Sequence, residues 1–195
     1  PALLMAHVVA FNWRGAPQKD AMLNLLGTLA NAAKQIELGG SGGDGQKPFG
    51  HLHILMRDWT FDAGSSAEQG VAEVTAMLLE PEAVKKKGAA AAKNRNEIRA
   101  LLKSSFASIT VWTFPPPVDN LLATKVTAAA LTDGFKAQLR SFRAAVAAQL
   151  SEPMTFNGAP VTGALLADLA PTIAAAVSDP EQKTLRPQSL FAQAA

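Results

Sequence analysis

The sequence predicts an α/β domain with a mostly parallel sheet and helices on both faces. Three observations predict it: short apolar runs of strand length, amphipathic helical periodicities between them, and Pro or Gly clusters at the joins. Strands separated by helical crossovers pair in parallel, with right-handed connections. The 195 residues are 48% hydrophobic and can bury one core. No internal repeat or linker divides the chain, so residues 1–195 read as a single domain.

The elements follow in order. Leu3 to Asn12 is apolar and β-branched near its end, suiting a first strand buried on both faces. From Pro17 to about Leu38, the apolar residues Met22, Leu25, Leu26, Leu29, Ala33 and Ile36 recur at helical spacing, with Pro17 suited to a first turn. Gly39 to Gly45 ends that helix in a loop. His51 to Asp58 is the second strand, and Val71 to Leu79 reads as a helix after a polar stretch from Asp62 to Gln69. A longer helix from Ala89 to Ser104 turns Ile98, Leu101 and Leu102 inward. Ser108 to Phe114 is the third strand, stopped by Pro115 to Pro117. Phe135 to Leu150 and Val161 to Val177 are two more helices, separated by a turn from Pro153 to Gly158.

Composition removes several function classes. There is no cysteine, which excludes a disulfide scaffold, a thiolate metal site and a thiol nucleophile, and fits a reducing cytosolic setting. Net charge is only +2; the pI near 9.1 arises because, without Tyr or Cys, nothing titrates between His and Lys. With 6% aromatic residues and no excess of basic ones, the chain lacks a nucleic-acid footprint. No run of about 20 apolar residues spans a membrane. The start, Pro1 to Phe11, has neither an initiator Met nor a basic leader, and reads as a strand entered partway.

Ligands of open parallel sheets bind outside the carboxyl ends of the strands. Two stretches stand there: Arg57-Asp58-Trp59 after the second strand, and Pro115 to Asn120 after the third. Asp58 shares parity with Leu52, Ile54 and Met56 and closes its strand. A carboxylate in that place can accept two hydrogen bonds from one partner, as the N1–H and exocyclic amine of guanine would supply; adenine lacks that pattern. The same carboxylate could equally cap or solvate a loop. Arg57 could stack its guanidinium on a base or pair with a neighbouring acid.

The run from Lys47-Pro48-Phe49 through Ile54-Leu55-Met56-Arg57-Asp58-Trp59 resembles the strand and Arg-Asp base-recognition motif of the guanylate-binding-protein and atlastin family, large GTPases of the dynamin superfamily. Most small GTPases carry Asn-Lys-x-Asp there. The resemblance continues in order. Phe11-Asn12 is similar to the strand after the second switch, and Arg95 to Phe106 to the helix leading into the last core strand. Phe114 to Asn120 is similar to the guanine-cap region, and Phe156-Asn157-Gly158 to the end of the family's G domain. It implies a partial P-loop NTPase, a Ras-like large G domain lacking its N-terminal half. By it, Arg57 and Asp58 contact guanine, and Pro117-Val118 begins the loop covering the base. Asp119, Asn120 and Leu121 stand where the family loop often has basic or His residues, a departure bearing on capping and dimer contacts.

The resemblance further implies GTP or GDP as ligand, Mg²⁺ in the complete domain, and a G-domain homodimer. Membrane contact would come only through regions outside this chain, and the location would be the cytoplasm or the cytoplasmic face of an internal membrane. No G-x-x-x-x-G-K-[ST] occurs, so the phosphate cradle, its lysine and the Mg²⁺ hydroxyl are missing from this stretch. The expectation is a C-terminal portion of a G domain, inactive by itself as a GTPase and associating through its exposed sheet. The alternative is a non-catalytic α/β interaction module, or a degenerate G domain without nucleotide binding.

Other motifs carry less. Gly39-Gly40-Ser41-Gly42-Gly43 satisfies G-x-S-x-G without the strand–turn–helix setting of a nucleophile elbow, and Gly40 to Lys47 evokes a phosphate loop that no strand enters. His51 and His53 share a strand face and could supply two metal ligands, but satisfied sheet histidines need only two hydrogen-bond partners. Residues 85–103 carry a net charge of +6, which could meet an acidic surface; the spacing of Arg95, Arg99 and Lys103 favours a solvated helix face.

Overall fold

A computed structural model describes residues 6–34, 47, 49–60, 66–119, 126–156 and 159–178. The order is β1 (Val8–Arg14), α1 (Lys19–Lys34), β2 (Phe49–Arg57), α2 (Ala67–Leu79), α3 (Ala89–Ser105) and β3 (Phe106–Thr113). A 3-10 turn (Ala128–Ala130), α4 (Asp133–Leu150), the short strands β4 (Thr155–Phe156) and β5 (Ala159–Pro160), and α5 (Gly163–Ser178) complete it. The strands β1, β2 and β3 form a parallel sheet with β2 in the centre, so the predicted α/β class with helices on both faces is what the chain adopts.

Alternation along the strands sorts the two faces. One presents Leu52, Ile54 and Met56 of β2, all fully buried, beside their register neighbours Val9, Phe11 and Trp13 of β1 and Ile109 and Val111 of β3. Met22, Leu23, Leu26 and Ala30 of α1 pack into that core with Val74 and Leu78 of α2 and Leu102 of α3. Their spacing is that of single helix stripes. The other face carries α4 on an aromatic cluster. Phe142 stands edge-on to Trp112, His53 and Phe114, with ring centroids 5.6, 5.4 and 6.0 Å away. Edge-to-face contacts at these distances are favourable. No residue of α4 is fully buried, so this face is thinly covered among the described residues.

Several boundaries move. The first strand continues through Trp13 and Arg14, and the first helix begins at Lys19, after Pro17. The third strand starts two residues early, at Phe106. The predicted helix from Val71 begins at Ala67 because Ser66 and Gln69 form a capping box: the Ser66 hydroxyl accepts from the Gln69 amide at 3.3 Å, and Gln69 Oε1 accepts from the Ser66 amide at 2.7 Å. Between Pro153 and Gly158 the chain enters β4, which pairs antiparallel with β5. The glycine-rich stretch from Gly39 to Gly45 lies outside the described residues.

The expectation of a solvated face for Arg95 and Arg99 is overturned. Arg99 is 3% exposed and donates to Glu82 Oε1 at 3.0 Å, Asn96 Oδ1 at 2.8 Å and the Met77 carbonyl at 2.8 Å. Arg95 donates to both oxygens of Glu82 and to Asp20, and Lys19 Nζ donates to Glu82 Oε2 at 3.1 Å. Glu82, in the connection between α2 and α3, therefore binds α1 and α3 together. The sequence spacing missed this because the partner acid lies 13 and 17 residues away, on a different element.

Candidate functional site at the carboxyl end of the sheet

Strands β1 and β2 both end in a left-handed backbone: Gly15 at φ +83° and Asp58 at φ +57°. Glycine enters this region freely, and Asp is among the few other residues that tolerate it. Three hydrogen bonds then tie the strand ends together. The Gly15 amide donates to the Arg57 carbonyl at 3.1 Å, the Phe114 amide to the Met56 carbonyl at 2.8 Å, and the Trp59 amide to the Phe114 carbonyl at 2.9 Å. Asp58 sits at the turn these bonds enclose. Parity with Leu52, Ile54 and Met56 predicts Asp58 inside the strand, but the strand ends at Arg57, and the left-handed turn aims Asp58 independently of the strand's alternation.

The Asp58 carboxylate is half-buried, with 23% of its side chain exposed. Its Oδ2 accepts from Nε of Arg14 at 2.9 Å, and Arg14 itself is 72% exposed. Arg57 is exposed and lies directly across from Arg14 in the β1–β2 register, so two cations and one carboxylate meet at this end of the sheet. Arg14 was not singled out in the sequence. Finding it requires knowing that β1 and β2 are adjacent and in this register; only the end-of-strand position of both residues hints at it.

The chain leaving β3 forms the neighbouring wall. Phe114 and Val118 are buried, 5% and 8% exposed, and Pro117 is half-buried. The amide of Thr132 donates to the Pro117 carbonyl at 2.8 Å and its hydroxyl to the Pro116 carbonyl at 3.0 Å. The same hydroxyl caps α4 by accepting from the Phe135 amide at 3.3 Å. Pro117 and Val118 are thereby anchored to α4; residues 120–125, which follow, lie outside the described residues.

The histidines occupy the other end and the covered face. His53 is fully buried, its Nδ1 2.8 Å from the Trp112 indole N–H and its Nε2 2.7 Å from Gln149 Oε1. The indole can only donate, which fixes Nδ1 as acceptor and places the ring hydrogen on Nε2. His51 Nδ1 lies 2.8 Å from the Ser108 hydroxyl. Burial, and then the adjacent His7 and His53, lower its pKa from the usual histidine value. Both rings thus have protein partners, and among the described residues no three His, Asp or Glu side chains converge as a metal site. A cavity of about 230 Å³ lies between α1 and α3, lined by Asn24, Thr28, Asn94 and Glu97, away from the sheet end. Among the described residues, no helix is long and apolar enough to cross a membrane.

The family model described as the guanylate-binding protein, N-terminal domain, matches residues 2–154, most of the chain. No curated protein matches the sequence.

Proposed function

The chain belongs to the guanylate-binding protein N-terminal domain family, a family of large GTPases, and on that premise we propose that its sheet end holds the guanine base of GTP or GDP. The observation that carries the proposal is the placement of Asp58. It stands just beyond the central strand of a parallel sheet, in a left-handed turn, with its carboxylate partly accessible. Ligands of such sheets lie at this edge.

In this reading the Asp58 carboxylate accepts the N1–H and the exocyclic amine of guanine, one on each oxygen. The bonds are charge-assisted, and adenine, with no hydrogen on N1, leaves the carboxylate unpaired. Arg57, exposed beside it, lays its planar guanidinium along the base. Pro117 and Val118 lead into the loop that covers the opposite side. Hydrolysis is assigned to the complete domain, with the phosphate-binding elements outside these 195 residues. Mg²⁺ would there neutralise charge on the phosphate oxygens. Head-to-head pairing of two such domains, and action on the cytoplasmic side, are part of the same proposal.

The test exchanges the base. Asp58→Asn reverses one hydrogen-bond polarity, because an amide both donates and accepts. In the natural full-length protein the variant is expected to lose at least about tenfold in affinity for GDP, as the loss of a charged hydrogen bond implies, and to gain affinity for xanthosine diphosphate. Unchanged guanine selectivity would remove Asp58 from base recognition, and a protein that binds no GDP at all would favour a non-nucleotide interaction module.

A further inference from the structure

The ion pair at the sheet end has a chemical consequence for that site. An ionised carboxylate offers about four lone-pair positions. Guanine fills two of them, one on each oxygen. Arg14 fills one, through a single Nε–H bond to Oδ2 at 2.9 Å, and Oδ1 has no partner among the described residues. Three donors therefore stay within what one carboxylate can accept.

The geometry points to Arg14 as the residue that positions Asp58 for guanine, acting through the carboxylate and not on the base. This inference rests on the reading of Asp58 given above. Left alone, an aspartate side chain on an exposed turn rotates among its rotamers, and only some of them present both oxygens outward. The bond from Arg14 restrains Oδ2. Arg14 is well placed for this: it ends β1, Gly15 beyond it is bonded to the Arg57 carbonyl, and its guanidinium approaches from solvent. A second effect is electrostatic. When a base covers Asp58 the carboxylate loses water, and a cation on its remaining lone pair offsets that loss. Arg57, the register neighbour of Arg14, is exposed and makes no ion pair among the described residues, which leaves it to meet the base.

The expected signature is in base discrimination. Inosine nucleotides lack the exocyclic amine and offer one N–H where guanosine nucleotides offer two. A carboxylate fixed so that both oxygens face the base favours guanosine over inosine, and a freely rotating one favours it less.

Fluorescently labelled GDP and IDP would be titrated against the natural full-length protein and its Arg14→Ala, Arg14→Lys and Asp58→Ala variants. Asp58→Ala is expected to lose most GDP binding. Arg14→Ala is expected to weaken GDP binding about three- to fivefold, the range of an exposed ion pair, with a smaller loss for IDP, so that the preference narrows. Arg14→Lys, which keeps the charge, should recover most of the GDP affinity. A purely structural effect would lower both nucleotides equally and overturns the positioning role, as does an Arg14→Ala variant that binds GDP unchanged or more tightly. If Asp58→Ala binds GDP normally, it is the underlying base-recognition reading that fails.

Discussion

Glu82 shows what gathering cations around one acid does to its chemistry. Hydrogen bonds from Arg95 first, then from Arg99 and Lys19, hold its carboxyl well below the usual carboxylate range. An acid whose native pKa lies under its unfolded value stabilises the fold only while ionised, so the stabilisation is fully present above about pH 4.5 and is lost as pH falls toward the native value. Denaturant unfolding between pH 3.5 and 7 should show this decline, and Glu82→Gln should flatten the acid side of the profile while lowering stability at neutral pH. A wild-type profile that is flat through this range would show that the cluster contributes nothing. Removing Arg99 instead leaves Glu82 and the Met77 carbonyl short of a donor inside the protein. Arg99→Met is expected to cost about 3 kcal/mol, the range for breaking a buried charged network. None of this is legible from the sequence, where Arg99 looks like one member of a regularly spaced basic run. The charge pattern describes a helix face and is silent about which acid in a distant loop will meet it.

The elements were more legible than their ends. All three core strands and the helices between them can be read from apolar periodicity, because one buried face leaves a regular record in sequence. What stops or starts an element is decided by backbone bonds that periodicity does not see. The start of α2 was recorded locally, in Ser66 and Gln69, and Ser66→Ala should cost about 1 kcal/mol by thermal or chemical unfolding. The end of β2 was not recorded: the turn at Asp58 depends on bonds to Phe114 and to Gly15, on two other elements. The start of the β1–β2 pair shows the same dependence. A side chain at Gly50 would place its Cβ 2.0 Å from the His7 carbonyl oxygen, the atom to which the His51 amide donates at 2.8 Å. Backbone cannot step aside there as a side-chain tip can. Gly50→Ala is therefore expected to destabilise by about 3 kcal/mol, the upper end for overpacking, and to loosen exchange protection at His51 before the rest of the sheet.

At the scale of the whole molecule, both edges of the sheet are open among the described residues, since β1 and β3 each pair only with the central β2, and the β1 edge is the one whose outward groups can be assigned residue by residue. The His51 amide donates to the His7 carbonyl, and the Gly15 amide to the Arg57 carbonyl, so odd-numbered residues of this segment turn their backbone groups toward β2. By the twofold repeat of a strand, Val8, Ala10, Asn12 and Arg14 turn theirs outward. A seven-residue strand with outward amides and carbonyls, no proline and no bulge is a template for another strand. The isolated chain is expected to associate in a concentration-dependent way in sedimentation velocity. Ala10→Pro removes one outward N–H and none of the bonds to β2, and edge strands accept proline in that position. It should reduce association while leaving the unfolding midpoint nearly unchanged. Phe11→Pro, one residue along, deletes an inward bond and should unfold the sheet. A chain that is monomeric at all concentrations would show that the outer edge of β1 recruits no second strand, and an Ala10→Pro variant that stays folded and still associates would move the contact to the outer edge of β3 or to the thinly covered face under α4.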